Sequence, residues 1–207
     1  MYTVEMIFYI MMTMLSQNNA HPSYLASEAV QTRLYKLAEA IEEHSDYQVT
    51  APRLIALAYK ESRFGYRERD LVNEGSGACG AYHQIPKNAN GGETDCGQLM
   101  DPRHATMQAV AYLKYIDRRW GRSESITRRS CHYFSGNKCD DLESDIYALK
   151  YKDAYDKARS EFDAFYMESD EEISDNFIRE QTDEIISSAR DWLERHPEKA
   201  LKLSHSN

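Results

Sequence analysis

Apolar residues return at helical spacing along most of this chain, and a single Gly- and Asn-rich stretch between Gly65 and Asp101 breaks the pattern. Residues three and four apart share one face of a helix, so each periodic segment builds a helix with an apolar side. Val30 to Glu43 carries Leu34, Leu37, Ala38 and Ile41 on one face. Thr50 is placed to cap a second helix, with Pro52 in its first turn, that stops near Gly65. Asp101-Pro102 opens a third, which runs through Ala109, Val110, Leu113 and Ile116 to about Trp120. A shorter piece is expected near Ser130 to Phe134, ending at Gly136, and a Tyr-rich helix from Asp145 to about Phe165. Ser174 to Arg195 forms the last, with Phe177, Ile178, Ile185, Ala189 and Leu193 apolar. Gly75 to Gly80 and Ala89 to Gly97 read as loops, and Ala81 to Pro86 as a short strand or one helical turn. Repeats and runs of alternating strands are not evident. The expected fold is mainly α, of α+β type. A helical lobe and a small Gly-rich lobe of loops or short strands flank a cleft.

One carboxylate sits among apolar neighbours. At about 100° per residue, Glu61 falls between Leu57 on one side and Leu54 and Ala58 on the other. Those three pack into a core, so Glu61 faces the core or a cleft cut through it. Burial disfavours the charged form and raises a carboxyl pKa. A carboxylic acid that keeps its proton near neutral pH suits general acid catalysis. The alternative is a surface Glu on a helix with a wide polar face.

Charge narrows the function. The net charge is −9, and the stretch from Glu161 onward carries 13 acidic and 5 basic residues. The rest is nearly neutral, which does not fit nucleic-acid binding. Arg118, Arg119, Arg122, Arg128 and Arg129 form a basic cluster, read as a solvated helix end and loop; the alternative is attraction to an anionic polymer. The 207 residues suit one domain, or one domain with an appendage. Most of the 15 Tyr are expected at the core's edge, some lining a polar cleft.

Four cysteines, Cys79, Cys96, Cys131 and Cys139, fit no zinc ribbon and no Cys-x-x-Cys redox motif. Pairing Cys79 with Cys96 and Cys131 with Cys139 is the simplest of three connectivities, and disulfides imply an oxidising compartment. Four reduced thiols are the alternative. His83 and His132 lack a tight set of co-ligands, so no metal and no cofactor is expected. Met6 to Leu15 is apolar for ten residues, too short for a bilayer span. Glu5 precedes it and no Lys or Arg does, which argues against a signal peptide. An uncleaved apolar helix is expected there, packed on the body, on a partner or against a membrane.

Four short motifs stand in order. They are Glu61-Ser62-x-Phe64, Gly77-Ala78-x-Gly80-x-x-x-Gln84-x-Pro86, Leu99-x-Asp101-Pro102 followed by Ala111-Tyr112-Leu113, and Tyr133-x-x-Gly136 followed by Tyr147. In this order and spacing the chain resembles the soluble lytic transglycosylase family of the lysozyme-like superfamily, over roughly Val30 to Ala158. Each motif alone is weak; the ordered set is specific. It departs from the family at Tyr82-His83-Gln84, where Leu-Met-Gln is usual, and at Phe134, where the family has Asn. The paired cysteines also differ from the commonest members.

The resemblance implies a lysozyme-like domain over 26–160, between an apolar segment, 1–25, and an acidic helical extension, 161–207. It implies cleavage of the β-1,4 bond from N-acetylmuramic acid to N-acetylglucosamine in peptidoglycan. Glu61 would be the general acid and then the base that takes the C6 hydroxyl proton, giving a 1,6-anhydro ring. Ser62, Gly80, Gln84, Tyr133 and Tyr147 would contact substrate or hold the acid, with Tyr151 a lesser candidate for Tyr147's part. Glu74, Glu93 and Asp95 are the carboxylates that could turn the site into a hydrolase of goose-type lysozyme kind. A glycan-binding structural component is the non-enzymatic alternative. Peptidoglycan strands are the expected partner, with protein partners at the apolar N-terminus and the acidic C-terminal helix. The implied setting is a phage virion acting on the host cell wall, or alternatively a bacterial periplasm.

Overall fold

The computed structural model describes residues 2–121, 125–136, 139, 142–167 and 174–200. It is mainly helical, as expected. Helices α1 (Val4–Gln17), α2 (Pro22–Leu25), α3 (Glu28–His44) and α4 (Ala51–Ser62) precede a small lobe. That lobe holds strands β1 (Val72–Asn73) and β2 (Ala78–Cys79), then the short α5 (Cys96–Met100). The chain returns to helix with α6 (Pro102–Trp120), α7 (Ile126–Ser135), α8 (Leu142–Met167) and α9 (Asp175–Arg195).

α4 is the axis of the molecule. Every residue from Ala51 to Ala58 is buried, because α1, α3, α6 and α8 all pack on it. Small residues at positions 51, 56 and 58 let those neighbours approach closely. Arg53 sits in this apolar surround at 1 % exposure, and it is neutralised in place. Its guanidinium pairs bidentately with Asp117 of α6 at 2.7 and 2.8 Å, and Arg129 of α7 reaches the same carboxylate at 2.7 Å. The expected solvated arginine cluster is therefore partly internal. Arg119 lies over the Trp120 ring, and Arg122 falls outside the described residues.

The N-terminal apolar stretch packs on the body. Ile7, Ile10, Met11, Met12, Met14 and Leu15 join one hydrophobic cluster with α3, α4, α6 and α8. Ile178, Ile186 and Ala189 of α9 belong to the same cluster, so residues from all three expected segments share a core. α9 uses a slightly different face from the one expected, with Ile178, Thr182, Ile186 and Ala189 buried and Phe177 exposed. No helix among the described residues is long and apolar enough to cross a membrane.

The small lobe is more ordered than its composition suggests. Val72 pairs with Cys79 and Asn73 with Ala78 in an antiparallel hairpin. Residues 81–83 form a turn, not a strand or helix, and Gln84 bridges back to Cys79. Within the stretch read as loop, Pro86–Gly92 is a 3-10 helix and Cys96 begins α5. Asp95 starts α5 with a capping box: its carboxylate accepts from the Gln98 N–H, and the Gln98 side chain accepts from the Asp95 N–H. Gly80 (φ +77) has a physical requirement, since a Cβ there would lie 2.0 Å from the Leu99 carbonyl oxygen.

Both expected disulfides form, Cys79–Cys96 and Cys131–Cys139. The first ties the hairpin to α5 across a sequence separation of 17 residues. Closing a loop of that size stabilises by about 3 kcal/mol. Replacing Cys79 and Cys96 together by Ser is therefore expected to lower the calorimetric unfolding midpoint by roughly 6–12 °C in a chain of this size. An unchanged midpoint would mean that the bridge contributes nothing.

Candidate active site

α4 ends where the two lobes meet. Arg63 and Phe64 both take left-handed backbone conformations (φ 51 and 62), and Gly65 follows at φ 62. Each non-Gly residue there costs about 1–2 kcal/mol. The buried Phe64 ring, 5.3 Å from Tyr59, and a hydrogen bond from Arg33 to the Gly65 carbonyl (2.6 Å) hold the turn. The abrupt stop leaves Glu61, one residue before the helix end, facing a groove rather than another turn of helix.

The Glu61 side chain is 13 % exposed. Burial pushes its pKa up, against the Tyr147 hydrogen bond and the charges of Lys60 and His83, which pull it down; the net direction is upward. Tyr147 of α8 donates its hydroxyl to Oε1. Tyr151, one turn on, donates instead to the Arg53 carbonyl (3.4 Å), so only the first tyrosine reaches the carboxyl. Phe134 stacks on Tyr147 at 4.9 Å, and Lys60 Nζ lies 4.3 Å from the centre of the same ring. Burial lowers the Lys60 pKa while the Glu61 charge opposes the shift.

Two cavities meet at Glu61, and Asn73 and His83 line both of them. One, of about 460 Å³, is walled by Tyr112, Tyr133, Phe134 and Gln84, and Glu61 is the one Asp, Glu, Lys or Arg among its described lining. The other, of about 700 Å³, is lined by Lys60, Arg63, Arg67 and Arg69, with Asp70 and Glu74. The site is thus a trench with an aromatic arm and a cationic arm, and the buried carboxyl lies between them.

The expected contact residues separate into two groups. Tyr133 and Gln84 line the aromatic arm, and Tyr147 holds the acid. The Tyr133 hydroxyl donates to the Tyr82 carbonyl (2.9 Å), fixing its ring against the turn. The Gln84 amide, oriented to pair both its groups, donates to the Ala105 carbonyl (3.2 Å) and accepts from the Ala109 N–H (2.9 Å), so α6 sets its position. Ser62 is buried and donates to the Ala81 carbonyl (2.7 Å), tying α4 to the small lobe. Gly80 lines neither arm among the described residues; its close approach is to Leu99. Of the three candidate partner carboxylates, Glu74 lines the cationic arm, whereas Asp95 is occupied with its capping box and Glu93 is exposed outside both arms.

Lys60, Asn73 and Phe134 belong to the site but are not among the site residues expected from sequence, and His83 enters that reading as a departure from the family block and as a rejected metal ligand. Adjacency to Glu61 was the available signal for Lys60, and the unusual Tyr82-His83-Gln84 for His83. Cys131, His132 and Cys139 form the one grouping of metal-ligating side chains among the described residues, and both of its sulfurs are in the disulfide.

Family models, curated proteins and solved structures yield no match to this chain. What it does has to be read from the geometry of the trench.

Proposed function

We propose that the protein is a peptidoglycan lytic transglycosylase. The observation that carries this reading is the Glu61 carboxyl, buried at the junction of two groove arms with its pKa pushed up and one oxygen held by Tyr147. An open trench on both sides of an acid suits a polymer cut within the strand. The aromatic arm offers Tyr112, Tyr133 and Phe134 as flat faces for sugar rings.

In this reading protonated Glu61 donates to the glycosidic oxygen as the bond to C1 of the muramic residue breaks. The C6 hydroxyl of the same residue attacks C1, and Glu61, now the base, recovers a proton from it. A 1,6-anhydro ring forms and no water is consumed. Ordinary glycoside hydrolysis needs a second carboxylate to activate water or form a covalent intermediate. Glu74, in the same arm as Glu61, is the residue that would support a hydrolytic outcome, and analysis of product ends separates the two. The two disulfides fit work in an oxidising cell-envelope space, and we place the enzyme in a phage virion that opens the host wall, with a bacterial periplasm as the alternative.

Tyr147→Phe tests the arrangement. The hydroxyl bonds to the charged form of Glu61 and so lowers its pKa. Without it the carboxyl keeps its proton to higher pH, and the alkaline limb of the pH–rate profile moves upward. The rate should fall roughly tenfold or more, the size of one charge-assisted hydrogen bond. Release of soluble muropeptides from sacculi, followed across pH, measures both. A variant with an unshifted limb and full rate would remove Tyr147 from the site.

A further inference from the structure

We propose that His83 is a second acid–base group of this site, which takes the proton of the attacking hydroxyl and returns it to Glu61. The inference rests on the transglycosylase reading above and adds a residue to it.

The ring's tautomer is set by its neighbour. His83 Nε2 lies 2.7 Å from the Asp70 carbonyl oxygen, which can only accept, so Nε2 carries the hydrogen. In the neutral ring Nδ1 is then a bare lone pair. That atom lies 3.7 Å from Glu61 Oε2, while Glu61 Oε1 is engaged by Tyr147. The two carboxyl oxygens therefore differ: one is held, the other faces the imidazole. A gap of 3.7 Å is too long for a hydrogen bond, and it lets a single hydroxyl oxygen lie within bonding reach of both groups.

The backbone presents the ring at some strain. His83 has φ 44, a left-handed conformation unusual for a residue with a side chain. The turn is fixed on both sides: Tyr82 is buried against Thr106, and Gln84 exchanges two backbone hydrogen bonds with Cys79. His83 lines both arms of the trench, as Glu61 does. The turn thus holds the imidazole beside Glu61, within reach of a reacting hydroxyl.

The charged groups around it lie mostly on the cationic arm. α4 contributes Glu61 and Lys60, with Arg63 at its end. The turn before β1 contributes Arg67 and Asp70, which are paired at 2.6 Å, and Arg69; the hairpin contributes Glu74. On the aromatic arm Tyr133 and Tyr112 are the titratable neighbours.

The proton balance closes. Glu61 gives its proton to the glycosidic oxygen as the bond from that oxygen to C1 breaks. The C6 oxygen bonds to C1, and its hydrogen passes to His83 Nδ1. An imidazolium then stands beside a carboxylate, and the proton returns to Glu61 through a water lying in the 3.7 Å gap, restoring neutral His83 and protonated Glu61 with no water consumed. No outside acid, base or electron carrier is consumed.

The test uses the purified full chain on sacculi, with anhydro-muropeptide release followed by kcat/KM against pH. His83→Gln can still donate to Asp70 but does not titrate. It should lose about 10²-fold or more near neutral pH. His83→Gly suits the left-handed backbone, and added imidazole should restore part of its rate. The inference is overturned if His83→Gln turns over at the wild-type rate, or if imidazole restores no rate to His83→Gly. Anhydro products with a profile independent of His83 would sink this inference alone. A wild-type chain that makes no anhydro product would sink the transglycosylase reading, and this inference with it.

Discussion

Glu61→Gln is expected to abolish muropeptide release from purified sacculi, with a loss of at least 10²–10⁴-fold for removal of the proposed general acid. Gln is close in size, and its oxygen can still accept from Tyr147, so the fold stays intact. The variant should also unfold at a higher temperature than the wild type near neutral pH. The folded state raises the Glu61 pKa, so folding favours the protonated carboxyl. Its contribution is fully present below the unfolded value and is lost as pH rises through the folded one. Gln stays neutral throughout, and the gap in unfolding midpoint should widen as pH rises above the unfolded carboxyl value, until the folded one is passed. A variant that still clears sacculi removes Glu61 from the chemistry. One that is inactive but gains no stability at high pH removes the claim that the carboxyl is held against its charge.

Asp117→Ala is the largest expected loss of stability. Arg53 is 1 % exposed inside α4, and Asp117 is its ion-pair partner in that surround as well as Arg129's. Removing one partner of a buried pair leaves an uncompensated charge and costs about 3–5 kcal/mol, a large part of the 5–15 kcal/mol that holds a typical domain together. The pH dependence has the opposite sign to that of Glu61. Burial pushes the Asp117 pKa up, but the Arg53 hydrogen bonds and the charges of both arginines outweigh it, and the pKa ends low. Its contribution is present above the unfolded carboxylate value and is lost as pH falls through the folded one. Denaturant titration of wild type and variant should therefore show a difference that is full at neutral pH and shrinks in acid. A difference below about 1 kcal/mol at pH 7 would place this triad with ordinary surface ion pairs.

The helices were legible because their signals are local. Asp101 accepts from the His104 N–H and Ser174 from the Phe177 N–H, at the positions their sequence suggested. Thr50 stands at the N-cap of α4, although its side chain makes no capping bond. Where several weak signals overlapped, composition misled. Asp95 and Gln98 form a capping box inside a stretch that Gly and Asn made look like loop. α7 begins at Ile126, several residues before the expected piece, behind a Ser125 cap.

Pairings across the chain were the hidden part. Glu61 was visible as a carboxylate in an apolar stripe, and Arg53, equally out of place on the same helix, was not. Its partner lies 64 residues away on α6, and no local pattern joins them. The same limit applies to His83, whose ring matters only because the small lobe folds back onto the end of α4. Ser62 shows the converse: standing beside Glu61 in sequence made it a contact candidate, and its hydroxyl donates to the Ala81 carbonyl across the lobes.

The most direct measurement is mass spectrometry of the glycan ends released from sacculi in isotopically labelled water. Ends that are 1,6-anhydro and free of label are the expected result, because the attacking oxygen belongs to the sugar. Reducing ends that carry the label would contradict it and make the enzyme a hydrolase.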